Sequence, residues 1–143
     1  MINDLATDQR VDRTCRTLTS LGYRVTLIGR RLPSSPELDV RSYMTVRMRM
    51  LFTKGPFFYL FFNIRLFFQL LFRKADLLVA NDLDTLWPNN MISSWKHIPL
   101  IYDTHEIFCE VPELRDHSFK KAVWNRIERR IFPGLNNVIT VNE

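Results

Sequence analysis

Apolar positions along the chain switch repeatedly between a helical spacing and short β-branched runs. Over 8–20, Val11, Cys15 and Leu18 recur on one helical face. Thr7 is placed to cap that helix, and Gly22 to stop it. Residues 24–28 then read as a strand, and Pro33 and Pro36 mark a loop. Over 43–50, Met44, Val46, Met48 and Met50 alternate with Thr45, Arg47 and Arg49, the pattern of a half-exposed or edge strand. An aromatic run over 57–72 comes next, followed by a short buried strand over 77–80. Thr85 is placed to cap a further helix, with Pro88 in its first turn, where the missing N–H is harmless. Residues 100–102 form another short strand, and 118–132 a helix with Phe119, Val123, Ile127 and Ile131 four apart. Residues 137–141 form a last strand.

Short apolar strands separated by helices predict an α/β fold: a Rossmann-like open, mostly parallel sheet with helices on both faces. Ligands of such sheets sit outside the carboxyl ends of the strands. The polar residues just after each strand are Asn3-Asp4, Gly29-Arg30, Asn81-Asp82, Asp103 to Glu106 and Asn142-Glu143. They are carboxylates and amides with one histidine, expected to converge on one rim.

The aromatic run changes that picture in one respect. It is 16 residues long and carries Arg65 near its middle. A spanning helix needs roughly 20 apolar residues, and a central Arg costs about 2.5–3.5 kcal/mol on insertion. Arg65, Gln69 and Arg73 share one stripe. A buried crossover helix with a single wet stripe is one reading. Phe58 and Phe62 lie near that stripe, however. Exposed aromatics beside Arg and Lys give a second reading, in which 57–74 touches an anionic membrane surface.

The 143 residues, 46% hydrophobic, suffice for one domain with a core and leave no room for a second of ordinary size. The net charge of +5 favours anionic partners. The basic residues sit in short clusters (Arg30-Arg31, Arg73-Lys74, Arg129-Arg130) that read as solvated faces, so no nucleic acid is expected. Cys15 and Cys109 show neither CxxC nor metal spacing and read as reduced thiols. The polar N-terminus has no apolar leader, which points to the cytoplasm.

Five segments together resemble bacterial family-4-type glycosyltransferases. They are Asn-Asp-Leu-Ala-Thr-Asp-Gln-Arg-Val over 3–11, Gly-Tyr-Arg-Val-Thr-Leu-Ile-Gly-Arg over 22–30, Ala-Asn-Asp-Leu-Asp-Thr-Leu over 80–86, Tyr-Asp-Thr-His-Glu over 102–106 and Val-Ile-Thr-Val-Asn over 138–142. The resemblance implies a GT-B fold, two Rossmann-like domains with the active site in the cleft between them. It also implies a nucleotide-sugar donor, transfer with retention to a glycan or lipid-linked acceptor, and no required metal or other cofactor. On this reading 1–143 is an incomplete acceptor-side domain. Only Met1-Ile2 stand where the family has a complete first strand, and the nucleotide-sugar domain is absent. The chain alone is then expected to be inactive and marginally stable. It is expected in the cytoplasm, with peripheral contact at the inner face of the membrane.

His105, after a strand, can hydrogen-bond a sugar hydroxyl or move a proton, or it is a surface-loop residue. The resemblance, in which a histidine here faces the donor sugar, makes it the catalytic candidate. Asp103 and Glu106 orient it or cap the turn. Asp82 binds an acceptor hydroxyl or caps a helix, as does Asp84; two carboxylates with no third ligand are poor metal chelators. Arg10 meets a phosphate at a helix N-terminus, or is solvated. Asn3, Asp4 and Asn142 complete the expected substrate contacts. A GxGxxG fingerprint is lacking, and His97 and His117 carry no assigned role. The competing function is a non-catalytic module docking on a membrane or a partner protein. A receiver-like domain is disfavoured, because no lysine follows the last strand.

Overall fold

The computed structural model describes residues 1–104 and 118–140. Their order is α1 (Gln9–Ser20), β1 (Thr26–Arg31), β2 (Met44–Arg49), α2 (Pro56–Leu71), β3 (Leu78–Asn81), α3 (Leu83–Lys96), β4 (Leu100–Thr104), α4 (Ser118–Ile131) and β5 (Asn137–Thr140). A 3-10 turn over Phe132–Gly134 joins the last two. The fold is α/β with parallel strands in open, Rossmann-like sheets. β1 and β2 pair parallel, and β3, β4 and β5 form a second parallel sheet in that order. The chain divides into two compact units, Met1–Arg65 and Leu66–Glu143.

In the first unit, α1 is capped one residue later than expected. The Asp8 carboxylate, not Thr7, accepts from the Val11 N–H at 3.0 Å. Thr7 instead donates to the Asp4 carbonyl. Gly22, at φ +92°, and Tyr23 close the other end by donating to Thr19 and Leu18, as a left-handed C-terminal glycine allows. β1 runs three residues past the expected end, so Gly29 and Arg30 lie within the strand. Its other edge is occupied by the N-terminal segment. The Met1 amine donates to the Ile28 carbonyl at 2.7 Å, and Asp4 makes a parallel bridge to Arg30.

Met1, Leu5, Val11, Cys15, Leu27 and Tyr43 form the core of this unit. Burial, then the nearby Asp12 carboxylate, push the Cys15 thiol up to about 11, so it packs as an inert apolar group. Tyr43 donates to Asp12 and accepts from Arg41, whose other amine reaches the Leu5 carbonyl. One phenol thus ties α1, β2's approach and the N-terminal loop together.

In the second unit, α3 packs on β3 and β4 and against α4. The core includes Ala80, Leu83, Leu86, Ile92 and Tyr102. α3 starts at Leu83 with Asp82 at the cap position, so Thr85 lies inside the first turn and Pro88 in the second. Pro88 removes the N–H that would bond the Asp84 carbonyl. On α4 the expected stripe holds at Ile131, which is buried, but Val123 is exposed and Trp124, one residue on, is buried in its place. The C-terminal end of α2 is met by Lys96, which donates to the carbonyl of Leu70 in the last turn and to that of Arg73 just beyond it, at 2.9 and 2.7 Å.

α2 corrects the expectation about its faces. Phe58 and Phe62 are buried, with the Arg30 guanidinium 5.1 Å from the Phe58 ring. Phe57, Leu60, Ile64, Phe68 and Phe72 are the exposed ones. Among the described residues, no helix is long and apolar enough to cross a membrane.

Gly29 makes this packing possible. A Cβ there would stand 2.5 Å from the fully buried Leu5 side chain and 3.0 Å from the Met1 carbonyl. Gly29→Ala is expected to destabilise the chain by about 1–3 kcal/mol, the usual cost of overpacking, measured by urea unfolding. Gly134, with nothing near its Cβ position, is the tolerant control.

Candidate functional site

Each unit presents its own set of strand-end residues. In the first, Asp4 is buried beside β1. Its Oδ1 accepts from the Ala6 N–H at 3.0 Å and from Arg47 Nη2 at 3.4 Å, and its Oδ2 accepts from the Ser35 hydroxyl. Ser35 Oγ in turn accepts from the Leu32 N–H at 2.7 Å. Burial pushes the Asp4 carboxyl up, but the Ser35 and Ala6 hydrogen bonds and the charges of Arg47 and Arg30 outweigh it and hold the group below 3.8. Asp4 therefore organises the loop after β1 and draws Arg47 inward from β2. The alternating pattern had placed Arg47 on the solvent side. No local signal marks this pairing, because its partners lie 31 and 43 residues away. Asn3 is exposed and lies 3.4 Å from Asp8, and Arg10 is half-buried in the first turn of α1.

In the second unit the register pairs Asn81 with Asp103, so both sit inside the sheet rather than beyond it. Both are buried, as is Asp84 in the first turn of α3. Asp82 stands at φ 65° and ψ 163°, a region that glycine adopts freely and other residues enter at a cost of about 1–3 kcal/mol. The surroundings over-determine it. The Asp82 N–H donates to the Asp103 carbonyl at 2.9 Å, and the Asp82 carbonyl accepts the Thr85 N–H at 3.2 Å. The Thr85 hydroxyl adds bonds to the carbonyls of Asn81 and Asp82, at 2.7 and 3.2 Å. The Asp82 side chain makes no capping hydrogen bond to α3. Strand, strained residue and helix thus form a sharp elbow at the carboxyl end of β3, with Asp82 half-buried. Sequence reasoning found Asp82 and Asp84 but missed Thr85 as the residue that holds the elbow. Its signal, a threonine three residues after the strand-end aspartate, had been read as a cap.

Burial pushes the Tyr102 phenol, beneath this rim, up to about 12, with the Thr104 hydroxyl opposing. It stays neutral at physiological pH. A concavity lined by Arg73, Lys74, Asp76, Lys96 and His97 lies at the other, amino ends of β3 and β4. Its Lys96 is engaged by α2, and His97 is the left-handed C-cap of α3. His105, Glu106 and Asn142 lie outside the described residues.

The carboxyl of Asp4 gives a pH dependence whose sign is set. A group held below its ordinary value adds stability above about pH 3.8, and that stability is lost as pH falls through its lower folded value. Wild type is expected to exceed Asp4→Asn in melting temperature at neutral pH, and the gap to close as the pH falls below that value. Asp12, also lowered, titrates in both proteins and cancels from the difference.

No curated protein and no solved structure matches the chain. A family model, Glycosyltransferase Family 4, matches residues 8–143. The matched region begins at the cap of α1, contains the elbow and β4, and runs through β5. With that coverage, and with parallel Rossmann-like strands ending in carboxylates and amides, the chain belongs to glycosyltransferase family 4.

Proposed function

We propose that the chain forms the acceptor side of a sugar-transfer site that takes a nucleotide-sugar donor and transfers the sugar, with retention, to a glycan or lipid-linked acceptor. The observation that carries this reading is Asp82. A carboxylate held in a glycine conformation at a strand end is kept there at a cost in stability. That cost has a reason if the carboxylate orients an acceptor hydroxyl. Asp84 and Asp103 then set the electrostatics around it, and Arg10 and Asn3 serve the phosphate or polar parts of a substrate. Asp4 acts by holding Arg47 and the loop after β1 in place.

His105, with Glu106, follows β4 by one and two residues and is the group for proton movement or hydroxyl orientation at the transferred sugar. Asn142 follows β5 in the same manner. A second Rossmann-like domain would supply the donor wall and stabilise the departing diphosphate, since positioning and oriented charge are what such a transfer needs. The chain by itself is therefore expected to bind nucleotide sugars weakly and to transfer none.

Two substitutions test this in a protein that joins the chain to such a domain, assayed with a panel of uridine and guanosine diphosphate sugars. Asp82→Gly relieves the backbone, so unfolding free energy should rise by about 1–3 kcal/mol while the acceptor KM rises. A gain in stability with unchanged kinetics would leave Asp82 a structural residue only. His105→Ala should lower turnover by about 10²–10⁴-fold, and His97→Asn by less than about threefold. Asparagine is the control because His97 occupies φ 56°, which asparagine tolerates. Near wild-type turnover for His105→Ala would remove it from the chemistry.

A further inference from the structure

The exposed face of α2 is apolar from end to end. Phe57, Leu60, Ile64, Phe68 and Phe72 follow one another at spacings of three and four, on the side of the helix away from buried Phe58, Phe62 and Leu66. Phe57 is 68% exposed, Ile64 41% and Phe72 81%. The stripe belongs to this one helix and its immediate flanks. At its start the Phe52 ring lies 6.1 Å from Phe57 and from Phe61. Towards its end Phe67 meets Trp95, 6.3 Å between centroids, and Trp95 is itself 68% exposed. A helix apolar on both sides buries one side within its own fold and needs a second apolar medium for the other.

Charge identifies that medium. Between Asp39 and Asp76 the chain carries seven Arg and Lys and no carboxylate; Arg41 and Arg47 pair inward with Asp12 and Asp4, which leaves Arg49 and, on the helix and its flanks, Lys54, Arg65, Arg73 and Lys74. Lys54 and Lys74 are exposed at the two ends of the helix. Arg65 borders the stripe, its guanidinium 5.8 Å from the Phe61 ring. A second copy seated on this face would set two such carboxylate-free segments against each other, which like charges oppose. An anionic bilayer surface satisfies both features: the rings enter the acyl boundary while the basic residues stay among the headgroups. A 16-residue helix is about 24 Å long, suited to lie in the interface rather than cross it.

We propose that α2 docks the chain on anionic lipid through Phe57, Leu60, Ile64, Phe68 and Phe72, with Trp95 at the headgroup boundary. The proposal uses no residue of the sugar-transfer reading, so either can fail alone.

The test is flotation of the 143-residue chain with phosphatidylcholine vesicles, with and without phosphatidylglycerol. Binding should be at least about tenfold tighter with phosphatidylglycerol and should weaken with salt. The triple substitution Phe57→Ser, Ile64→Ser, Phe68→Ser should lower binding at least about tenfold. Val40→Ser, at a fully exposed site elsewhere, should not. Lys54→Glu with Lys74→Glu leaves every apolar side chain in place and should also weaken binding, by roughly fivefold or more per charge. This second variant keeps the test decisive if circular dichroism finds the triple variant unfolded. Brominated lipid should quench tryptophan emission, and Trp95→Phe should remove most of that quenching. Equal binding of the wild type and both variants would overturn the proposal. So would equal binding to neutral and anionic vesicles. A stable dimer in light scattering, abolished by the triple substitution and without vesicle binding, would assign the face to a second copy instead.

Discussion

Parallel pairing is the constraint from which the rest follows. Parallel strands cannot be joined by hairpins, so each must be followed by a crossover. β3 is followed by α3 and β4 by the segment ending in α4, and their carboxyl ends fall together. The register that sets Asn81 against Asp103 also brings the Asp103 carbonyl within reach of the Asp82 N–H. That bond, with Thr85 on the other side, keeps Asp82 in a conformation it would not choose. The elbow is thus a product of strand pairing and not of local preference.

The strand-end carboxylates of the two units are used differently, although they look alike in sequence. Asp4 is absorbed into its surroundings by a serine, a backbone N–H and an arginine. Those contacts hold its carboxyl below the ordinary value and keep it charged. Asp82 makes no cap for the helix it precedes, and its backbone is strained. A site built for binding is expected to resemble the second case, where local stability is given up, more than the first.

α2 carries a similar division within one helix. Its mean composition is so apolar that periodicity alone could not say which side turns inward. The interior took the side with Phe58 and Phe62, where Arg30 can lie over a ring, and left the other side apolar and open. The aromatic run therefore has one buried face and one exposed apolar face.

The amino-acid sequence by itself determined the α/β class, the order of elements and the strand-end position of Asp82, because these rest on local periodicity and on punctuation by Gly, Pro and capping residues. It determined the family as well, through motifs spread from 3–11 to 138–142. Only the tertiary structure decided that Arg47 turns inward to Asp4, that Gly29 must admit Leu5, that the Asp103 carbonyl holds Asp82 in a glycine conformation, and which rings of α2 remain outside. These depend on contacts between residues far apart in the chain, or on a choice between two equally apolar faces. A local pattern has no term for either, and packing resolves both.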